Sequence, residues 1–128
     1  SDLVSLHVPL TAQTRNMIDK DQLLSMKSDA FLINTARGGL INEKALSEVL
    51  HDGHLAGAAV DVFELEPYSG CLLKAPRTLL TCHMGSMTED CRSRMEIEAT
   101  NECVRFLKYG SQSQPVPDFE YELQSGLG

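Results

Sequence analysis

Four short apolar runs recur along this chain, and the segments between the first three place their apolar residues at helical spacing. We interpret the runs at 2–9, 29–36, 56–63 and 77–83 as β-strands, the first of which is stopped by Pro9. Strands that alternate with helices need crossover connections, and such connections produce parallel pairing. The sequence therefore predicts an α/β fold built on a mainly parallel, doubly wound sheet.

Two helices are predicted between these strands, at 20–27 and at 43–52. Asn42 is a good helix cap, and Gly53 stands where the second helix should end.

A long C-terminal helix is predicted after the fourth strand. Ser86 and Glu89 have the spacing of a capping box, and Gly110 stands where the helix should stop. Its apolar side chains recur every three or four residues, which predicts a buried stripe of Met87, Cys91, Met95, Ala99, Cys103 and Phe106. The segment 111–128 is polar, broken by proline and without a clear period, so it is predicted to be an arm or a disordered end.

Polar side chains, some of them beside glycines, lie at or just after the carboxyl end of each predicted strand, which is the edge where ligands bind in open α/β sheets. In strand order they are His7 and Thr11; Thr35, Arg37, Gly38 and Gly39; Asp61, Glu64 and Glu66; His83, Gly85 and Ser86. The guanidinium of Arg37 suits a bidentate grip on a carboxylate. A histidine such as His83, with an acid in reach, suits proton transfer near neutral pH. The pattern alone does not choose between Glu64 and Glu66 as that acid.

The other histidines and the cysteines are predicted to have structural rather than catalytic roles. His7 precedes Val8 and Pro9, which favours a role in backbone positioning. His51 and His54 lie at a helix end, where a histidine complements the helix dipole, and too few ligands surround them to predict a metal site. The four cysteines (Cys71, Cys82, Cys91 and Cys103) form no CxxC pair and are predicted to be reduced thiols.

The net charge of −7 opposes binding to nucleic acid. The apolar runs are too short to span a membrane, and no export leader is evident, so a cytoplasmic protein is expected.

The segment "SDAFLINTARGGLINEKALSEVLHDGHLAGAAVDVFELEP", followed by "TLLTCHMGS", resembles the D-isomer-specific 2-hydroxyacid dehydrogenases, most closely their phosphoglycerate dehydrogenase-like branch. The upstream segment "DLVSLHVPLTAQTRNMI" is similar to the same family, so the resemblance covers roughly residues 2–109. It implies an NAD-dependent oxidoreductase that interconverts a D-2-hydroxy acid and its 2-keto acid, with NADP left open as the cofactor. It also implies a homodimer for the full-length parent.

The resemblance also implies roles for individual residues. Arg37 would hold the substrate, and Glu66 rather than Glu64 would pair with His83, the proton-transfer group. Asp61 would contact the nicotinamide end of the cofactor. The other implied cofactor-binding positions are Val8, Thr35, Ala36, Arg37, His83, Gly85 and Ser86.

The chain departs from the family pattern in having no GxGxxG turn, the usual start of a dinucleotide-binding fold. We therefore interpret residues 1–110 as a partial NAD-binding Rossmann domain, the second half of its sheet, and the chain as a fragment, whose activity in isolation stays open. Two alternatives stay open at this stage: a non-catalytic, dinucleotide-sensing protein like the corepressors of this family, and a pure interaction module. The substrate also stays open among phosphoglycerate, glyoxylate, hydroxypyruvate and longer acids.

Overall fold

A computed structural model of the chain describes residues 1–113 and residue 115. Its centre is a sheet of four strands in the order β1-β2-β3-β4, all parallel. The strands are β1 (Leu3–Leu6), β2 (Phe31–Asn34), β3 (Gly57–Val60) and β4 (Thr78–Leu80). The predicted parallel α/β fold is confirmed. Each strand is four residues shorter than predicted, and at each carboxyl end two or three of the predicted residues lie beyond the strand.

Three α-helices accompany the sheet: α1 (Lys20–Ser25), α2 (Glu43–His51) and α3 (Glu89–Tyr109). A short 3-10 helix, Cys71–Lys74, lies within the loop between β3 and β4. The predicted cap of α2 is present, since the Asn42 side chain accepts a hydrogen bond from the Ala45 amide at 3.2 Å.

The hydrophobic core lies between one face of the sheet and the helices α1 and α2. Successive strand residues point to opposite faces, so Leu32 and Asn34 are buried while Phe31 is half exposed. The fully buried large side chains of this core are Leu23, Leu32, Leu40, Leu46, Val49, Leu50, Leu55 and Leu72. Because all four strands are parallel, their carboxyl ends lie at one edge of the sheet.

The opposite face of the sheet is uncovered among the described residues. Leu3, Phe31 and Leu79 project from it and are 52%, 50% and 65% exposed. An apolar face of this kind is typical of a surface that further protein covers.

Helix α3 differs from its prediction in two respects. Its N-cap is Thr88, whose side chain accepts from the Cys91 amide at 3.3 Å, so the expected capping box of Ser86 and Glu89 is wrong. Glu89 is the first helical residue, too close to the cap for that role. The predicted end is correct, because Gly110 caps the helix in the left-handed conformation at φ 68°.

The buried stripe predicted for α3 is also wrong. No residue of this helix is buried, and Met95 and Phe106 are 54% and 52% exposed. The apolar periodicity identifies one face of the helix, but no other part of residues 1–113 packs over that face. Among the helices that the structure describes, none combines the length and apolar character needed to cross a bilayer. The predicted arm at 111–128 lies outside the described residues except for 111–113 and 115.

Candidate active site

A histidine and a glutamate meet at the carboxyl edge of the sheet. The Nδ1 atom of His83 lies 3.0 Å from Oε2 of Glu66. The other carboxylate oxygen, Oε1, accepts from the Phe63 amide at 3.0 Å. The hydrogen bonds from Phe63 and His83 lower the pKa of Glu66 below its ordinary value. Glu66 is therefore ionised at neutral pH and holds the imidazole by Nδ1, which leaves Nε2 for a ligand.

Glu64, the alternative acid, has a different partner. Its Oε1 atom pairs with Nη1 of Arg15 at 3.0 Å, and both side chains are largely exposed. The two glutamates, only two positions apart, thus bind different parts of the chain.

Asp61 anchors the turn that carries His83. Its Oδ1 atom accepts from the Thr81 hydroxyl at 2.5 Å and from the Met84 amide at 2.8 Å, and Oδ2 accepts from the Gly85 amide at 3.2 Å. The His83 amide donates to the Asp61 carbonyl oxygen at 2.7 Å. His83 itself is left-handed at φ 54°, a conformation that few residues other than glycine adopt. These bonds hold the turn in that conformation.

A buried asparagine shapes the turn that carries Arg37. Asn34, at the end of β2, donates from Nδ2 to the Arg37 carbonyl oxygen at 2.9 Å and accepts at Oδ1 from the Ala36 amide at 3.1 Å. The Arg37 side chain is exposed, and its Nη1 donates to the Ala36 carbonyl oxygen at 2.7 Å. Asn34 was not among the predicted site residues, although an amide that ends an otherwise apolar strand is a recognisable turn former.

Gly38 brings the Arg37 turn against the loop after β3. A Cβ atom at Gly38 would lie 1.9 Å from the carbonyl oxygen of Phe63, closer than atoms can approach. Phe63 in turn donates its amide to Glu66. Gly38 therefore permits the backbone contact that joins the two turns.

The other expected cofactor-binding residues also follow strand ends. Val8, Thr35 and Gly85 are exposed, and Ser86 and Ala36 are half buried. Val8 follows β1 and Thr35 follows β2, strands that pair in register up to Leu6 and Asn34. Their contacts with a cofactor stay predictions.

The remaining histidines and the cysteines lie outside this cluster. The Nδ1 atom of His51 donates to the Ser47 carbonyl oxygen at 2.7 Å, and Nε2 of His54 donates to that of Met26 at 3.0 Å. His7 contacts the Ser5 hydroxyl at 2.9 Å. All four cysteines are free. Within residues 1–113 and 115, no three His, Cys, Asp or Glu side chains are grouped to hold a metal ion.

The sequence matches the family model "D-isomer specific 2-hydroxyacid dehydrogenase, NAD binding domain" over residues 1–85. The chain belongs to this family. The expected family and the expected NAD-binding domain are thereby confirmed, and the dehydrogenase fold is supported by solved structures.

The relatives of this 2-hydroxyacid dehydrogenase family member include proteins with two different names. A glyoxylate reductase of Korarchaeum cryptofilum is 48% identical over 104 residues, 79% of this chain and 31% of that protein. The D-3-phosphoglycerate dehydrogenase of Bacillus subtilis is 38% identical over 109 residues, 84% of this chain and 21% of that protein. A crystal structure of a glyoxylate reductase from Paecilomyes thermophila matches with a TM-score of 0.87 at 38% identity, covering 93% of this chain and 37% of that one. The chain thus spans between 21% and 37% of the length of these proteins.

The hydrogen bonding of Asp61 bears on its expected contact with the nicotinamide end of NAD. A carboxylate offers about four acceptor directions, and three are filled by Thr81, Met84 and Gly85. The remaining direction is on Oδ2, which accepts one bond while Oδ1 accepts two. The side chain is buried, with 7% of the residue exposed. It can therefore accept one further N–H donor, such as a carboxamide.

Acid is expected to destabilise the fold through Asp61. Burial raises the pKa of Asp61. The hydrogen bonds from Thr81, Met84 and Gly85, together with the nearby His83, lower it by more, so the net pKa lies below the ordinary value. Because the pKa is lower in the folded than in the unfolded chain, ionised Asp61 contributes its full stabilisation above the unfolded value of about 4. That contribution is lost as the pH falls through the folded value.

The free energy of unfolding of the wild type should therefore exceed that of Asp61→Asn most near neutral pH, and the difference should shrink below about pH 4. Urea titrations across this range measure it. Asp29→Asn, a change at an exposed carboxylate, is the control for the loss of one negative charge. A difference for Asp61→Asn that is constant with pH would contradict the assignment.

Proposed function

We propose that the protein containing this chain is an NAD-dependent oxidoreductase that interconverts a D-2-hydroxy acid and its 2-keto acid. The observation that carries the proposal is the 3.0 Å contact between His83 Nδ1 and Glu66 Oε2 at the carboxyl edge of a parallel sheet. Residues 1–110 form the catalytic half of its NAD-binding domain in this proposal.

His83 is the acid–base group of the proposed reaction. Its Nδ1–H donates to ionised Glu66, so the lone pair on Nε2 takes the hydroxyl proton of the substrate as the hydroxyl-bearing carbon loses a hydride. Hydride acceptance is the chemistry that NAD supplies when bound. The resulting imidazolium is stabilised by the Glu66 carboxylate. In the reverse reduction, Nε2 returns the proton to the oxygen of the keto acid. The His83 side chain is 49% exposed, so a substrate can reach it.

Arg37 is the proposed substrate-binding residue. Its guanidinium is exposed on a turn that Asn34 holds rigidly, so it can grip a carboxylate without reordering the backbone. The same positive charge stabilises the substrate oxygen on which charge changes, an effect of a few kcal/mol, about 10²-fold or more in rate. Thr35, Ala36, Asp61, Gly85, Ser86 and Val8 complete the proposed cofactor surface.

A panel of 2-keto acids tests the reaction directly. The complete protein is mixed with reduced NAD or NADP and with glyoxylate, hydroxypyruvate, phosphohydroxypyruvate or a longer 2-keto acid, and the loss of nicotinamide absorbance is followed. Turnover of at least one acid is expected, and the preferred dinucleotide and acid define the substrate. Normal dinucleotide binding without turnover of any acid would instead favour the non-catalytic, corepressor-like function.

The two glutamates of the loop after β3 provide a matched pair of variants. Glu66→Gln removes the charge beside His83 and is expected to lower kcat/KM by about 10²-fold, the low end of the contribution of general acid–base catalysis. Glu64→Gln removes the same charge two positions away, where it pairs with Arg15 at the surface, so a change of less than about 3-fold is expected. Steady-state kinetics of the complete protein measure both. Equal losses in the two variants would contradict the assignment of Glu66.

A homodimer of the complete protein in the cytoplasm, with no nucleic-acid partner, completes the proposal. The net charge of −7 supports the absence of a polyanionic partner. The exposed Leu3, Phe31 and Leu79 on the open sheet face supply an apolar surface that further protein should cover. Sedimentation of the complete protein measures its assembly.

A further inference from the structure

The Thr81 hydroxyl is a link between the sheet and the turn that carries His83. Thr81 directly follows β4, and its amide donates to the Val60 carbonyl oxygen at 3.1 Å, which extends the ladder with β3. Its backbone is therefore fixed by the sheet. From that position its hydroxyl donates to Oδ1 of Asp61 at 2.5 Å. A carboxylate only accepts, so the direction of this bond is fixed.

The orientation of the Asp61 carboxylate decides whether it can bind the turn. Oδ1 must face the Met84 amide while Oδ2 faces the Gly85 amide, at 2.8 and 3.2 Å. The torsion of a carboxylate about its last bond is soft, with broad minima. Of the three donors to this carboxylate, only Thr81 belongs to the extended sheet; Met84 and Gly85 belong to the turn that is being held. Thr81 is thus the donor that sets the orientation independently of the turn.

The turn needs such an external hold because His83 is left-handed at φ 54°. A non-glycine residue adopts that region only where its surroundings impose it. If the Met84 and Gly85 amides were released, His83 would relax towards an ordinary backbone conformation and its ring would leave Glu66.

We propose that Thr81 is a positioning residue, which orients the Asp61 carboxylate and through it holds the His83 turn so that Nδ1 of the imidazole meets Glu66. The inference deepens the proposed function and rests on it for its catalytic meaning. Its geometric content is testable without any reaction, because the tautomer of a neutral histidine is set by the hydrogen bond that one of its nitrogens makes.

The test is nitrogen NMR of the 128-residue chain with ¹⁵N-labelled histidine, at a pH where the imidazoles are neutral. The nitrogen shifts of His83 give the ratio of the Nδ1–H to the Nε2–H tautomer. Thr81→Val, which keeps the shape and removes the hydroxyl, is expected to lower this ratio by about fivefold, the factor that one net hydrogen bond contributes. Thr81→Ser, which restores the hydroxyl, should return the ratio to within about twofold of the wild type.

Thr78→Val is the matched control. Thr78 lies in β4, three residues before Thr81, and is also half buried, but its hydroxyl donates to the Ala75 carbonyl oxygen at 3.2 Å rather than to Asp61. It should leave the His83 ratio unchanged. Thr81→Ala, whose side chain is smaller and also lacks the hydroxyl, is measured beside Thr81→Val.

A wild-type ratio in folded Thr81→Val or Thr81→Ala overturns the proposal, and so does a lowered ratio in Thr81→Ser or Thr78→Val. If both apolar variants at Thr81 unfold while Thr78→Val folds, the hydroxyl is a determinant of folding and the positioning role is overturned as well. The outcome is separate from the proposed function. An absence of turnover in the complete protein, with the expected ratios in this chain, would count against the reaction and not against Thr81.

Discussion

Replacing His83 with asparagine in the complete protein is expected to lower kcat by about 10²- to 10⁴-fold, the full contribution of a general acid–base group. Asparagine keeps an N–H donor that can reach Glu66 and tolerates the left-handed backbone at φ 54°, so the turn should persist. What is lost is a group that takes and returns a proton near neutral pH, because an amide does not titrate there. The steady-state rate at which the absorbance of the reduced nicotinamide changes measures the loss of kcat.

His51→Asn is the control for this variant. His51 is also exposed and also donates to a neighbouring group, the Ser47 carbonyl oxygen, but it lies at the end of α2 and away from the carboxyl edge of the sheet. Its kcat should stay within about twofold of the wild type. If His83→Asn retained kcat while binding dinucleotide normally, His83 would not be the acid–base group, and the proposed chemistry would fail with it.

The fold was predictable because its determinants are local. The alternation of apolar runs with helical spacing sets the parallel sheet, and single residues such as Asn42 and Gly110 set helix ends through their own side chain or backbone freedom. The stripe of α3 was not predictable in the same way. A period of three to four residues reveals an apolar helix face, but whether that face is buried depends on what packs over it, which the period does not encode.

In the candidate site, too, some residues could be predicted from the sequence and others depended on contacts in the folded chain. The strand order alone placed Arg37, Asp61 and His83 at one edge, since parallel strands bring their carboxyl ends together. The residue pattern alone, without the family resemblance, left the choice between Glu64 and Glu66 open. The two glutamates differ in their partners, Arg15 and His83, which lie 49 and 17 positions away along the chain.

Asn34 and Thr81 were missed for a related reason. Each acts by hydrogen bonds that form only once the turns have folded. Neither residue is charged or aromatic, so neither stands out in the sequence as a candidate for a site. The contribution of such residues is read from geometry. Both lie where a strand gives way to a turn, at the end of β2 and just after β4, which are positions that favour turn-forming polar side chains.

Gly38→Ala is expected to destabilise the chain by about 3 kcal/mol, the upper end of the usual cost of overpacking. The added Cβ would lie 1.9 Å from the Phe63 carbonyl oxygen, 2.0 Å from its carbon and 2.6 Å from the Glu64 amide nitrogen. All three atoms are backbone, so no side chain can rotate out of the way. The turn that carries Arg37 and the loop that carries Glu66 must separate instead. Urea unfolding of the 128-residue chain measures the effect as a lower midpoint with an unchanged m-value.

Gly85→Ala separates this clash from the general effect of adding a methyl group at the same edge. The nearest atom to a Cβ there is Oδ2 of Asp61 at 3.8 Å, an ordinary van der Waals distance, so its free energy of unfolding should change by less than about 0.5 kcal/mol. Because Gly38 is not one of the positive-φ glycines, a large loss in Gly38→Ala arises from the close approach and not from a forbidden backbone angle. Equal stabilities of the two variants would mean that the Arg37 turn and the Phe63 backbone are farther apart than described, and the contact between the Arg37 turn and the loop that carries Glu66 would no longer hold.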